Sequence, residues 1–182
     1  MRAMLRSRIA VGFARSAATL TVTMGFGDFA CQSIEKKFGT SNPAEPIDLR
    51  RVMAFSATGA FGNAPVAFGG LVLGDYFFTG PTTAALLRKI AFITVFVEPF
   101  RMASILATNQ VLLGNGLDGA SEKLQSKLPT AWGMAAVFYP PILFGINRMP
   151  IENRMFVLAP AGVIFNTGIA YLAAQRKAQI SC

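Results

Sequence analysis

The sequence contains no histidine. That removes the side chain that titrates nearest neutral pH, the commonest metal ligand, and any Ser–His or Cys–His nucleophilic pair. Cysteine is nearly as scarce. Cys31 lies in an apolar stretch and Cys182 at the terminus, so neither a disulfide framework nor a zinc site can be built from them. No enzymatic chemistry is expected, and no cofactor or metal. Charge is the third shortage: 14% of the residues are charged, where a soluble domain keeps about a quarter so that its surface stays hydrated. With 53% hydrophobic residues and a mean hydropathy of +0.47, an integral membrane protein is expected. Its 17 glycines and 16 phenylalanines suit closely packed membrane helices.

Acids are scarcer than bases, 9 against 17, for a net charge of +8. On a soluble domain that excess would suggest nucleic acid. Here the cations sit in short connections between apolar stretches, without an aromatic-flanked basic stripe. The expected partner is therefore the lipid bilayer, anionic lipid in particular, and not nucleic acid. No acid precedes Asp28, whereas MRAMLRSRIAVGFARSAATL carries Arg2, Arg6, Arg8 and Arg15. Residues 1–16 thus read as a basic mitochondrial targeting segment or an interfacial helix. Residues 17–175 are expected to form the bundle, and 176–182 a short tail. The terminal QISC is not a peroxisomal SKL-type signal.

Five stretches approach the ~20 apolar residues that a bilayer span requires: 17–35, 52–74, 90–113, 131–147 and 155–174. The fold class expected is all-α, a membrane bundle of about five apolar helices. A short amphipathic surface helix is expected at DGASEKLQSKL, begun by Asp118 and stopped before Pro129. The loop cations divide evenly between the two ends, so they set no orientation.

Inside these stretches lie polar seams. Thr21, Gly25, Asp28 and Gln32, with Glu35 beyond, follow at spacings of three and four and share one helix face. Leu20, Val22, Met24, Phe26 and Phe29 are expected to point elsewhere, mostly toward lipid. Thr94, Glu98 and Arg101 form a second seam, and Asn166 stands in the fifth stretch. Ser56, Ala60 and Ala64 recur every fourth residue, and Gly70 and Gly74 form a GxxxG, both patterns that let helix backbones approach closely. An ionised group at mid-bilayer costs roughly 2.5–3.5 kcal/mol, so Asp28, Glu98 and Arg101 should face protein or water. Gln32, Asn166 and Arg101 are the expected partners of Asp28. The seams admit two uses, a packing cluster or the lining of a hydrated passage. Pairing of Glu98 with Arg101 across one turn would narrow or block such a passage; separate partners around a cavity would keep it open.

The same residues resemble the Mpv-seventeen and peroxisomal membrane protein family. Gly27-Asp28 with Gln32 is similar to the family's Gly-Asp-x-x-x-Gln. Asp48-x-x-Arg51 followed by GAFGNAPV resembles its Asp-x-x-Arg to Gly-Pro stretch, with Asn63 at the expected glycine. Gly116-Leu117, the run EKLQSKLPTAW and Tyr139-Pro140 resemble the approach to its Trp-Pro. Pro150-x-x-x-Arg154, Phe165-Asn166 and Tyr171-Leu172 resemble its ending. Both family tryptophans are replaced, by Tyr139 and Phe165; its early acid in the third span falls on Ile93, and Glu98 and Arg101 are additions. The resemblance implies a non-enzymatic protein of the mitochondrial inner membrane (or, as the second choice, the peroxisomal membrane). Two roles are compatible with it: a small channel or solute-permeability factor, and an accessory subunit of a larger assembly such as a respiratory complex or ATP synthase.

Overall fold

The computed structural model describes residues 2–38, 45–80 and 82–174, and the side chains there apart from 2–8, 151, 152, 155 and 172–174. The tail expected at 176–182 lies outside the described residues. What is described is helical, without a strand. In chain order the elements are α1 (Arg2–Lys37), α2 (Leu49–Thr58), a π-helix (Gly59–Asn63), α3 (Ala64–Phe77), α4 (Thr83–Phe92), a second π-helix (Ile93–Val97), α5 (Glu98–Leu112), α6 (Gly116–Ile146), α7 (Ile151–Val157) and α8 (Ala159–Ala174). Since each π-helix continues into its flanking helices, these elements make five long helical bodies and the short α7. Two stretches, Ile9–Lys37 and Thr83–Leu112, are long and apolar enough to cross a membrane.

The second and third bodies are built alike. Each opens on a side-chain cap, Asp48 accepting from the Arg51 N–H and Thr82 from the Ala85 N–H. Ten α-helical residues follow, then five π-helical ones, then a proline near the start of the next α-helix, Pro65 or Pro99. The cause of the break is legible in the backbone. In the second π-helix the Glu98 N–H donates to Ile93 O, so the next N–H in that register would be that of Pro99, which has none. The carbonyl of Thr94 is thereby released from the helix, and the Trp132 indole donates to it at 3.0 Å. In the first π-helix the Ala64 N–H reaches back to Gly59 O in the same way.

These two bodies run antiparallel. Gly62 meets Ser104 and Thr108, Gly70 meets Val97, and Gly74 meets the stem of Lys89. At the far end of the pair, Arg50 Nη2 donates to Leu113 O at 3.1 Å. The turn it latches has positive φ at Gly114 (87°) and Gly116 (65°), a conformation in which a Cβ would be strained.

α1 packs against several neighbours on one broad side and leaves its other side exposed. It packs along α8 in its largest interface and touches α2, α3, α7 and the first π-helix as well. Its contact with α8 is parallel: Gly27 meets Asn166 and Thr23 lies near Gly162. Because that covered side is broad, Leu20 and Met24 belong to the core, and Met24 is fully buried. This corrects the expectation of a lipid-facing Leu20 and Met24; Val22, Phe26 and Phe29 are exposed.

The expected surface helix at DGASEKLQSKL is not separate. It forms the first turns of α6, which runs unbroken through Pro129, Pro140 and Pro141. The penalty for a proline inside a helix, about 3 kcal/mol, is tolerated where α6 gains a long interface against α5.

Candidate functional site

Two polar clusters form where the seams meet their neighbours. The first joins the end of α1 to the start of α2. Asp28 is fully buried, and Arg51 Nε lies 2.7 Å from its Oδ1. Gln32 Nε2 donates to Asp28 Oδ2 at 2.9 Å and to Asp48 O at 3.2 Å, while its Oε1 accepts from the Asp48 N–H at 2.7 Å. Arg51 also donates through Nη1 to Glu35 at 3.2 Å and through Nη2 to Cys31 Sγ at 3.6 Å. The partner of Asp28 is therefore Arg51 together with Gln32, and not Asn166 or Arg101. A cation one turn into α2, beside a capping aspartate, was the signal available in the sequence.

The second cluster lies deeper. Arg101 donates through Nε and Nη2 to Glu98 Oε2, at 2.9 and 2.7 Å, one turn away on the same helix. Its Nη1 donates to Asn63 Oδ1 at 3.3 Å. The guanidinium stacks over Tyr139 at 4.6 Å and lies 5.9 Å from the ring of Phe165. Asn63 Nδ2 in turn reaches Met24 Sδ at 3.5 Å. Beside this pair the helices leave a cavity of about 40 Å³. Its polar wall comes from Thr19, Thr23, Asn63, Glu98, Arg101 and Asn166, and its apolar wall includes Leu71, Ile93 and Val97. All five helical bodies contribute to it, and so do both π-helices.

Of the expected pore-lining residues, Glu98, Arg101 and Asn166 line this cavity. Thr21, Gly25, Asp28 and Gln32 do not. Gly25 abuts Ser56, Thr21 returns its hydroxyl to Ala17 O at 2.8 Å, and Asp28 and Gln32 belong to the Arg51 cluster. The separation follows from helical spacing: Thr19 and Thr23 stand on a different face of α1 from Thr21, Gly25 and Asp28. Thr94 is also absent from the wall, and its hydroxyl is buried without a partner among the described residues. Of the small residues, Ala64 is fully buried, Ala60 half-buried, and Gly70 and Gly74 face the third body.

Sequence reasoning missed Asn63, Thr19, Thr23 and Tyr139. The departures from the family pattern carried most of that signal. Asn63, Ile93, Glu98, Arg101, Tyr139 and Phe165 are scattered along the chain, yet each lines the cavity or touches Arg101.

A third cluster lies at the opposite end of the bundle from Arg51. Asp75 accepts from Arg154 Nη1 at 2.8 and 3.0 Å and from Lys89, and Arg154 also donates to Met149 O at 2.9 Å. It fastens α3, α4 and α7 together. Among the described residues no group of His, Cys, Asp and Glu could hold a metal ion.

The mitochondrial inner membrane protein Mpv17 of Danio rerio is 24% identical to this chain over 151 residues, which cover 82% of this chain and 83% of that protein. No protein-family profile matches the chain, and no solved structure matches it. The similarity to Mpv17 is distant, but it extends over most of both chains. The location in that protein's name agrees with the two helices here that are long and apolar enough to cross a membrane.

Proposed function

We propose that this chain is a non-enzymatic protein of the mitochondrial inner membrane, and that the cavity beside Glu98 and Arg101 is the narrow midsection of a passage for small solutes. One observation carries the reading. Two antiparallel helices, each interrupted by a π-helix and a proline, place their interruptions at the wall of one cavity in which polar groups stand among apolar ones. Paired interruptions at mid-bilayer are the construction by which transport proteins bring polar groups to a solute inside lipid. A cluster that served packing alone would close over its polar atoms, whereas this one leaves space beside them.

The surroundings agree with a membrane setting. Val22, Phe26, Phe61, Phe100, Val137 and Ile164 are all more than half exposed on the outside of the bundle, an apolar surface that suits lipid. Arg50, Arg88 and Arg148 are exposed toward its ends, where anionic headgroups would meet them.

A second reading is favoured by a specific contact. Glu98 and Arg101 pair across one turn, which neutralises the chamber and suits an accessory subunit held in a larger inner-membrane assembly. Reconstitution of the purified protein separates the two. Solute flux into proteoliposomes, or conductance in a planar bilayer that changes selectivity in Arg101→Ala, supports the passage. A folded protein that passes nothing, and that migrates with a respiratory complex or ATP synthase on native gels, would overturn it in favour of the scaffold.

A further inference from the structure

We infer that the solute admitted to the chamber is small, polar and uncharged, about the size of urea; this rests on the passage reading above. Size is the first ground. A cavity of about 40 Å³ holds roughly three water-sized spheres, which a solute the size of urea would fill. Charge is the second. Arg101 spends three of its five N–H donors on Glu98 and Asn63, stacks on Tyr139 and has its charge neutralised by Glu98, so an anion meets no net positive charge. A cation would meet a carboxylate that Arg101 already neutralises.

The third ground is what the wall still offers. Asn166 is 2% exposed, lines the cavity, and makes no hydrogen bond with a described residue. Its two donors and its carbonyl are therefore free for a partner in the cavity. Thr23 is in a similar position: its hydroxyl is buried and its one bond is a long 3.4 Å contact to Leu20 O. Both Arg101 contacts to Glu98 fall on Oε2, and no described residue donates to Oε1. An amide, a hydroxyl and a carboxylate oxygen together suit a solute that both donates and accepts hydrogen bonds and bears no net charge.

The test is stopped-flow light scattering of proteoliposomes holding the full chain, with urea and sucrose gradients, beside dye-reported potassium and chloride flux. Wild type is expected to raise urea permeability clearly above protein-free vesicles while sucrose and both ions stay at background. Asn166→Leu is expected to lower the urea rate about tenfold, and Thr23→Val about threefold, with elution and helicity unchanged. Should Asn166→Leu fail to fold, the isosteric Thr23→Val decides. Ion flux comparable to urea flux, or urea flux unchanged in the folded variants, would overturn the inference and leave the passage reading intact. Absence of all flux from folded wild type would overturn both.

Discussion

Arg51 and Arg101 are both set against carboxylates inside the bundle, but they are recruited in opposite ways. Arg51 pairs across a loop, with Asp28 and Glu35 on α1, and so ties two helices together. Arg101 takes its charge partner from its own helix one turn back, an arrangement that fixes no helix against another through charge. The first cluster consists of residues that fit the family resemblance, Asp28, Gln32, Asp48 and Arg51. The second consists of departures from it, Asn63, Glu98, Arg101, Tyr139 and Phe165. The contrast teaches that the α1–α2 junction ties helices together through charge, while the charged pair beside the cavity is satisfied within one helix.

Breaking each pair puts the contrast to measurement, with thermal unfolding in detergent micelles as the readout. Arg51→Ala and Arg101→Ala each strand a buried carboxylate and should each cost about 3–5 kcal/mol. The double replacements should then diverge. Glu98→Leu with Arg101→Met removes both charges and leaves only the Asn63 carbonyl without its donor, so it should recover most of the loss and remain about 1 kcal/mol destabilised. Asp28→Leu with Arg51→Met removes one partner each from Gln32, Glu35 and Cys31 together with the tie between α1 and α2, and should remain destabilised by more than about 2 kcal/mol. Equal behaviour of the two double variants would erase the distinction.

Smaller effects sharpen it. A Cβ at Gly27 would lie 2.9 Å from Asn166 Cβ and 3.2 Å from backbone, so Gly27→Ala should cost about 1–3 kcal/mol by overpacking α1 against α8. Trp132→Phe keeps the ring but leaves the Thr94 carbonyl without its donor, and should cost about 0.5–1.5 kcal/mol in the same unfolding assay. Gly69 has no neighbour within 4 Å of an added Cβ. Gly69→Ala should therefore stabilise by about 0.5–1 kcal/mol through helix propensity, and a loss of stability there would mean that the outer face of α3 is covered.

The parts of this architecture that rest on local pattern were legible in the sequence. Four of the five apolar stretches lie on single helical bodies, to within a residue at 113 and 147, because apolar runs between polar punctuation are written directly in the residues; the fifth, 155–174, straddles the end of α7 and α8, with Leu158 between them. The inward placement of Asp28 and Gln32 followed from spacing alone. What was not legible depended on which helix lies beside which. Asp28 finds Arg51 because α2 folds back along α1, which no spacing within α1 reveals. Leu20 and Met24 are core residues because the covered side of α1 is broad, whereas a single polar seam suggested a narrow one. Pro129 looked like a stop, yet α6 runs through it under the packing of α5. The π-helices before Pro65 and Pro99 had only a proline to announce them.

The parallel docking of α1 against α8 also bears on biogenesis. Gly27 meets Asn166 roughly 140 residues later in the chain. At ~5–20 residues per second of synthesis, the first helix waits on the order of ten seconds for its principal neighbour to be made. Contacts so distant in sequence form late and slow the search for the native arrangement. Until then the face of α1 around Gly27 lacks the residues that fill it in the finished fold. A chain truncated before residue 159 should therefore keep the Asp28–Arg51 fastening, whose members both lie upstream, while leaving that face of α1 uncovered.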